Sequence, residues 1–246
     1  MKKLVAYLTT GFPDIQFTHD AILTLKEAGV DVLELGIPFS DPVADGEIIQ
    51  QTSLQALQNG FKLNDLFTLS QTIGSQIDTY WMGYFNSFYK KGVSHCCAHA
   101  IKSHIKGFII PDLPYEEALK YKELFDVNRL INVTFVAPTD TKSRIEKLVA
   151  HSQGFIYLVA YAGITGAGRS EDLSHIIHTV RETTTTPLYL GFGVNASNAK
   201  DKSQSVDGVI VGSEFMKVLL QKDLTHSQKL DTIATIARTI KESINT

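Results

Sequence analysis

Eight short apolar runs, each followed by a longer stretch of different periodicity, constrain this chain more than anything else in it. They fall at Val5–Thr9, Val32–Gly36, Thr79–Tyr84, Gly107–Ile110, Asn132–Val136, Phe155–Val159, Leu188–Gly191 and Gly208–Val211. Their β-branched and aromatic content and their turn-rich borders mark strands. Between them lie amphipathic segments such as Phe17–Ala28, Glu47–Gln58, Tyr115–Leu124, Ser143–His151 and Glu171–Arg181. Lys62–Ile73 adds an extra helix, and Leu230–Glu242 ends the chain with Ile233, Ile236, Ala237 and Ile240 on one face. Strand–helix alternation repeated eight times predicts an α/β fold, a (β/α)8 TIM barrel, as a single domain over residues 1–246. A doubly wound open sheet is the alternative. It calls for a glycine-rich fingerprint after the first strand, and Thr10-Gly11-Phe12-Pro13-Asp14 is not one.

A barrel places its chemistry at the C-terminal ends of the strands. The second strand carries Leu33-Glu34-Leu35 and runs into Gly36-Ile37-Pro38-Phe39-Ser40-Asp41-Pro42-Val43-Ala44-Asp45-Gly46. Side chains alternate along a strand, so leucines facing the helices put Glu34 inside the barrel. Burial there raises its pKa toward neutrality and fits it to hold and release a proton. Asp41 and Asp45 follow in the loop. One such acid alone reads as a structural partner or a helix cap; three at one strand end read as catalysis.

Glycine-rich turns end the last three strands: Gly163-Ile164-Thr165-Gly166-Ala167-Gly168, Gly191-Phe192-Gly193 and Gly212-Ser213. Glycine lets backbone N–H groups approach an anion and a helix N-terminus adds positive potential, so these turns predict a phosphate cradle. Thr165, in a loop long enough to close over a site, is a candidate hydrogen-bond partner for Asp45. His95 and His99 have helical spacing, but no carboxylate completes a set, so no metal site is expected. Of the aromatic run at 80–89, Tyr84 at the strand end is placed to touch an aromatic substrate.

The net charge of −3 and the lack of a basic stretch argue against nucleic acid or an anionic membrane as partner. The two cysteines, Cys96 and Cys97, are adjacent and make no long-range staple, which fits a reducing cytoplasm. The apolar run after Lys2-Lys3 ends at Thr9-Thr10-Gly11, too early for a signal peptide or membrane span.

The run from Leu33 to Gly46 resembles the signature of the tryptophan synthase alpha subunit family. So do Tyr7-Leu8-Thr9-Thr10-Gly11, Met82-Gly83-Tyr84-Phe85-Asn86, Ile110-Pro111-Asp112-Leu113-Pro114, Ala137-Pro138-Thr139 and the three glycine turns. The resemblance implies retro-aldol cleavage of indole-3-glycerol phosphate to indole and glyceraldehyde 3-phosphate, without metal or cofactor in this chain. It implies Glu34 as general acid/base and Asp45 as acceptor for the indole N–H. Gly166, Gly193, Gly212 and Ser213 then hold the phosphate. Tyr7, Tyr84, Ile109, Tyr157 and Phe192 border the pocket, and Tyr157 positions Glu34. The implied partner is a beta subunit that uses pyridoxal phosphate, in an α2β2 heterotetramer. Three departures stand out. The chain begins almost at the first strand, where the family usually has a helix closing the barrel's base. Glu47 stands where proline is common, and Tyr161 where arginine is common. A stand-alone indole-releasing lyase and a non-catalytic phosphate-binding regulatory subunit remain as alternatives.

Overall fold

The computed structural model describes residues 1–160 and 173–246. The chain starts with β1 (Lys3–Thr9), α1 (Ile15–Glu27), β2 (Val32–Gly36), α2 (Glu47–Gln58), α3 (Leu63–Ile73) and β3 (Asp78–Met82). Next come α4 (Phe85–Lys91), α5 (Val93–Lys102), β4 (Gly107–Ile109), α6 (Tyr115–Ala118), α7 (Lys122–Val127), β5 (Ile131–Asn132), β6 (Thr134–Val136) and α8 (Lys142–Val149). Last are β7 (Ile156–Val159), α9 (Ser174–Thr183), β8 (Leu188–Gly191), α10 (Ala199–Lys202), β9 (Gly208–Val211), α11 (Ser213–Leu220) and α12 (His226–Ser243).

All pairing is parallel, in the order β5-β4-β3-β2-β1-β9-β8-β7-β6. β5 and β6 are two pieces of one strand, separated only by Val133, whose N–H donates to Phe108 O at 2.9 Å. The first piece pairs with β4 and the second with β7, so the sheet closes on itself as the predicted barrel. The single fifth strand expected from the sequence is thus broken where its ladder changes partner. The third strand stops at Met82, two residues early: Gly83 N–H makes its last ladder bond, to Ile109 O, and Tyr84 is already the N-cap of α4. The helix expected over Tyr115–Leu124 splits into α6, a 3-10 turn and α7, where only Phe125 is buried and few apolar anchors hold a longer helix. The helix expected from Glu171 is seen from Ser174; Glu171 and Asp172 lie outside the described residues.

Helix ends follow local chemistry. Asp14 caps α1 by accepting from Phe17 N at 2.7 Å, and Thr141 caps α8 by accepting from Arg144 N. α1 buries Phe17, Ala21, Ile22 and Leu25 on one face, and it packs on α12. At the base, Asp31 ties the first strand to the last helix. It accepts from Leu4 N at 2.8 Å and from the ammonium groups of Lys3 and Lys241. These donors hold its carboxyl below the usual range against the opposing effect of burial. Asp31→Ala strands the Leu4 N–H and two cations, and should cost about 2 kcal/mol in a urea melt at neutral pH. Because the folded pKa is depressed, that contribution fades as pH falls through it, so the two proteins should converge in acid.

Candidate active site

Register across the sheet puts Tyr7 beside Glu34 and Glu34 beside Tyr80. Laterally paired residues of parallel strands share a face. Here it is the inner one, because their neighbours turn outward: Leu33 and Leu35 are fully buried, and Trp81 donates its indole N–H to Ser70 Oγ on α3 at 2.8 Å. Ile109, buried on β4 in register with Met82, belongs to the same inner face.

The strand ends open room for two tyrosines. A Cβ on Gly36 would sit 2.3 Å from Tyr7 Oη, and one on Gly191 would sit 2.3 Å from the Tyr157 ring. No side chain fits at either distance, so both positions require glycine for the rings to lie across the interior. Gly212 is held more loosely in the same way, its would-be Cβ 3.1 Å from Tyr7 Cβ. A glycine expected to serve only phosphate therefore also makes space for Tyr7.

Glu34 is 1% exposed, and its Oε1 has no hydrogen-bond partner among the described residues. Burial first, and then the charge of Asp45, push its pKa up to about 8. The same enclosure and the same two acids raise the hydroxyl pKa values of Tyr7 and Tyr157 far above normal. Tyr157 does not hydrogen-bond Glu34 Oε1; it stacks on Phe135 with centroids 4.9 Å apart.

Asp45 is positioned through a relay. Ser53 Oγ on α2 accepts from Phe39 N at 2.8 Å and donates to Phe39 O at 2.9 Å. The Phe39 ring stacks on Tyr84 at 5.1 Å. Tyr84 donates its hydroxyl to Asp45 Oδ2 at 3.0 Å and accepts from Ala44 N at 2.8 Å. Gly46, not Asp45, precedes α2 as its N-cap, so the Asp45 carboxylate is not spent on capping. Burial raises the Asp45 pKa to about 6, and the Tyr84 hydrogen bond opposes that rise. Tyr84→Phe removes this opposition. The acid limb of a kcat/KM profile should move up by about half a unit or more, whereas an unmoved limb would mean that Asp45 does not set it.

On the far rim, Phe192 and Gly193 both have left-handed backbones, with φ of 72° and 68°. Gly212 leads into α11, whose first turn has no side-chain cap. Tyr7 packs on Gly212, and Tyr157 meets the Phe192 ring edge-on at 6.2 Å. Tyr7, in register with Glu34, thus links that acid to Gly212, and Tyr157 reaches the turn at Phe192. Thr165 and Gly166, with Tyr161, lie outside the described residues. Two surface depressions, of about 250 and 470 Å³, sit at the opposite end, beside Asp78 and Asp207. The discounted His99 stacks its ring on Phe67 at 4.1 Å, and both cysteines are buried and free. Sequence reasoning missed Phe39, as a site residue, and Ser53. Their link spans fourteen residues, from loop to helix, and leaves no local pattern.

A closed parallel barrel with a proton-holding carboxyl inside its C-terminal mouth, and a second acid one loop away, defines a barrel enzyme of acid–base chemistry. The family described as "Tryptophan synthase alpha chain" matches residues 1–245. A tryptophan synthase alpha chain from Wolinella succinogenes is 54% identical over 246 residues, spanning all of this chain and 96% of the relative. Another, from Dehalococcoides mccartyi, is 40% identical over 249 residues, covering 99% and 96%. Tryptophan synthase subunit alpha from Campylobacter jejuni superposes with TM-score 0.86 at 33% identity, covering 97% of this chain and 95% of that one. A tryptophan synthase chain of Mycobacterium tuberculosis gives 0.89 at 28% identity, covering 100% and 93%. The chain belongs to the tryptophan synthase alpha chain family.

Proposed function

We propose that this chain is the lyase of a tryptophan synthase, cleaving indole-3-glycerol phosphate to indole and glyceraldehyde 3-phosphate, with Glu34 and Asp45 as its catalytic residues. The supporting observation is Glu34 itself, a carboxyl buried inside the barrel with an oxygen that nothing among the described residues engages. An unpaired buried polar atom is costly and calls for a ligand to meet it. Glu34 delivers its proton to indole C3. The ring takes up positive charge, and Asp45 accepts a hydrogen bond from the indole N–H and stabilises that charge. Glu34 then takes the proton of the side-chain hydroxyl. The bond from C3 to that carbon breaks, its electron pair returns to the ring, and the hydroxyl oxygen becomes the aldehyde. Glu34 ends as it began.

Tyr7, Tyr157, Phe192, Tyr84 and Ile109 enclose the indole. The phosphate rests on backbone N–H groups at Gly193, Gly212 and Ser213. The partner is a beta subunit carrying pyridoxal phosphate, assembled with this chain as α2β2. The loop between β2 and α2, where Val43 is 84% exposed, contributes to that interface. Among the described residues no helix is long and apolar enough to cross a membrane, and a cytoplasmic location fits the role.

Activity needs Glu34 protonated and Asp45 ionised. With pKa values of about 8 and about 6, kcat/KM should trace a bell whose limbs belong to the coupled pair, falling below about 6 and above about 8. The direct test is indole release from the purified chain, alone and with a beta subunit. Turnover that rises with the subunit is expected. Substrate-analogue binding without any cleavage would instead make the chain a regulatory subunit.

A further inference from the structure

Lys202, on α10, reaches back under the turn that follows β8. Its ammonium donates to Phe192 O at 3.3 Å and Gly193 O at 3.0 Å. Gly193 O also accepts from Asn198 Nδ2 at 2.9 Å. Each peptide is planar and trans, so its C=O and the next N–H point in opposite directions. Fixing the Phe192 carbonyl on Lys202 therefore fixes the Gly193 N–H facing away, and fixing the Gly193 carbonyl does the same for Val194 N–H. Among the described residues neither N–H has an acceptor, although Val194 is buried. Two successive residues in left-handed backbone, one of them the non-glycine Phe192, hold these planes at a strain that needs offsetting.

We propose that Lys202 is a positioning residue for the substrate's phosphate: by gripping two consecutive carbonyls it aims the Gly193 and Val194 N–H groups at the anion. The proposal rests on the phosphate reading of this rim. The Lys202 ammonium is engaged by the two carbonyls, so its part is indirect. It presets donors that a flexible glycine turn would otherwise have to order on binding, and preorganised donors bind more tightly than mobile ones. Burial lowers the amine's pKa, in keeping with a side chain folded inward beneath the turn instead of extended into solvent.

The experiment measures binding of inorganic phosphate and of glycerol 3-phosphate to the full chain by calorimetry, with steady-state indole release. Lys202→Met should weaken both anions about tenfold, the loss expected of two charge-assisted hydrogen bonds that act indirectly. KM for indole-3-glycerol phosphate should rise in parallel while kcat changes less than about twofold, because Glu34 and Asp45 are untouched. Lys202→Gln keeps a donor without the charge and should recover most of the binding. Wild-type anion binding in Lys202→Met overturns the proposal. So does a Gln variant as poor as Met, which would make Lys202 a bare charge at a distance. A melting temperature near that of the wild type separates both results from misfolding. Gly193→Val, which forces a β-branched residue to φ near 68°, tests the rim itself. If it too leaves phosphate binding intact, the cradle lies elsewhere; if it alone abolishes binding, only the role of Lys202 falls.

Discussion

Glu34→Gln is expected to lose about 10³-fold in kcat, the weight of a general acid–base group, while still binding glycerol 3-phosphate. It is also expected to make the protein more stable, and the dependence of that gain on pH is the sharper test. The folded carboxyl has a pKa of about 8 against an ordinary 4.5. Between these values the unfolded chain gives up its proton and the folded chain keeps it. The native state then binds more protons, so wild-type stability falls as pH rises through that window. Glutamine cannot ionise and escapes the fall. Its advantage should grow by about 3 kcal/mol between pH 4 and pH 7, or about 6–12 °C in melting temperature for a chain of this size. Urea melts of both proteins at the two pH values measure it. A constant difference would mean that Glu34 has an ordinary pKa and a structural role. A gain in stability with a loss of turnover marks a side chain placed for reaction at the expense of the fold.

The inward placement of Glu34 was legible because it follows from alternation along five residues, and alternation is a property of any strand. The same rule separated Tyr80 and Met82 from Trp81. The barrel itself was legible from the number of strand–helix repeats. What the sequence could not carry was pairing between distant segments. Nothing near Asn132–Val136 announces that its ladder changes partner at Val133, since that is decided by where the sheet closes. The Tyr115–Leu124 segment has helical periodicity, and only its shallow burial broke it. Local pattern marks Gly191 as part of an anion-binding turn and Gly36 as a strand end, yet both are required by the tyrosine rings lying over them. Those rings come from β1 and β7, so the reason for each glycine lies on another strand. Lys202 escaped notice for a similar cause: nine residues separate it from Gly193, and a lysine after a loop ordinarily faces water.

Asp45→Asn should lower kcat by about 10²-fold with little change in KM, the pattern expected when charge is stabilised only as it develops. The amide oxygen can still accept from Tyr84 and from an indole N–H, so the ground-state complex survives. What disappears is the negative charge facing the ring when C3 takes its proton. The substitution also acts on Glu34. The Asp45 charge is the second cause of the raised Glu34 pKa, after burial, so the basic limb should move below about 8 yet stay above the carboxylate range. The double variant decides between a coupled pair and two independent acids. Once Glu34→Gln prevents protonation of C3, no positive charge builds, and the Asp45 carboxylate has nothing left to stabilise. Glu34→Gln with Asp45→Asn should therefore be little slower than Glu34→Gln alone, whereas independent roles would multiply the two losses. A single Asp45→Asn that raised KM at constant kcat would move Asp45 from the reaction to binding alone.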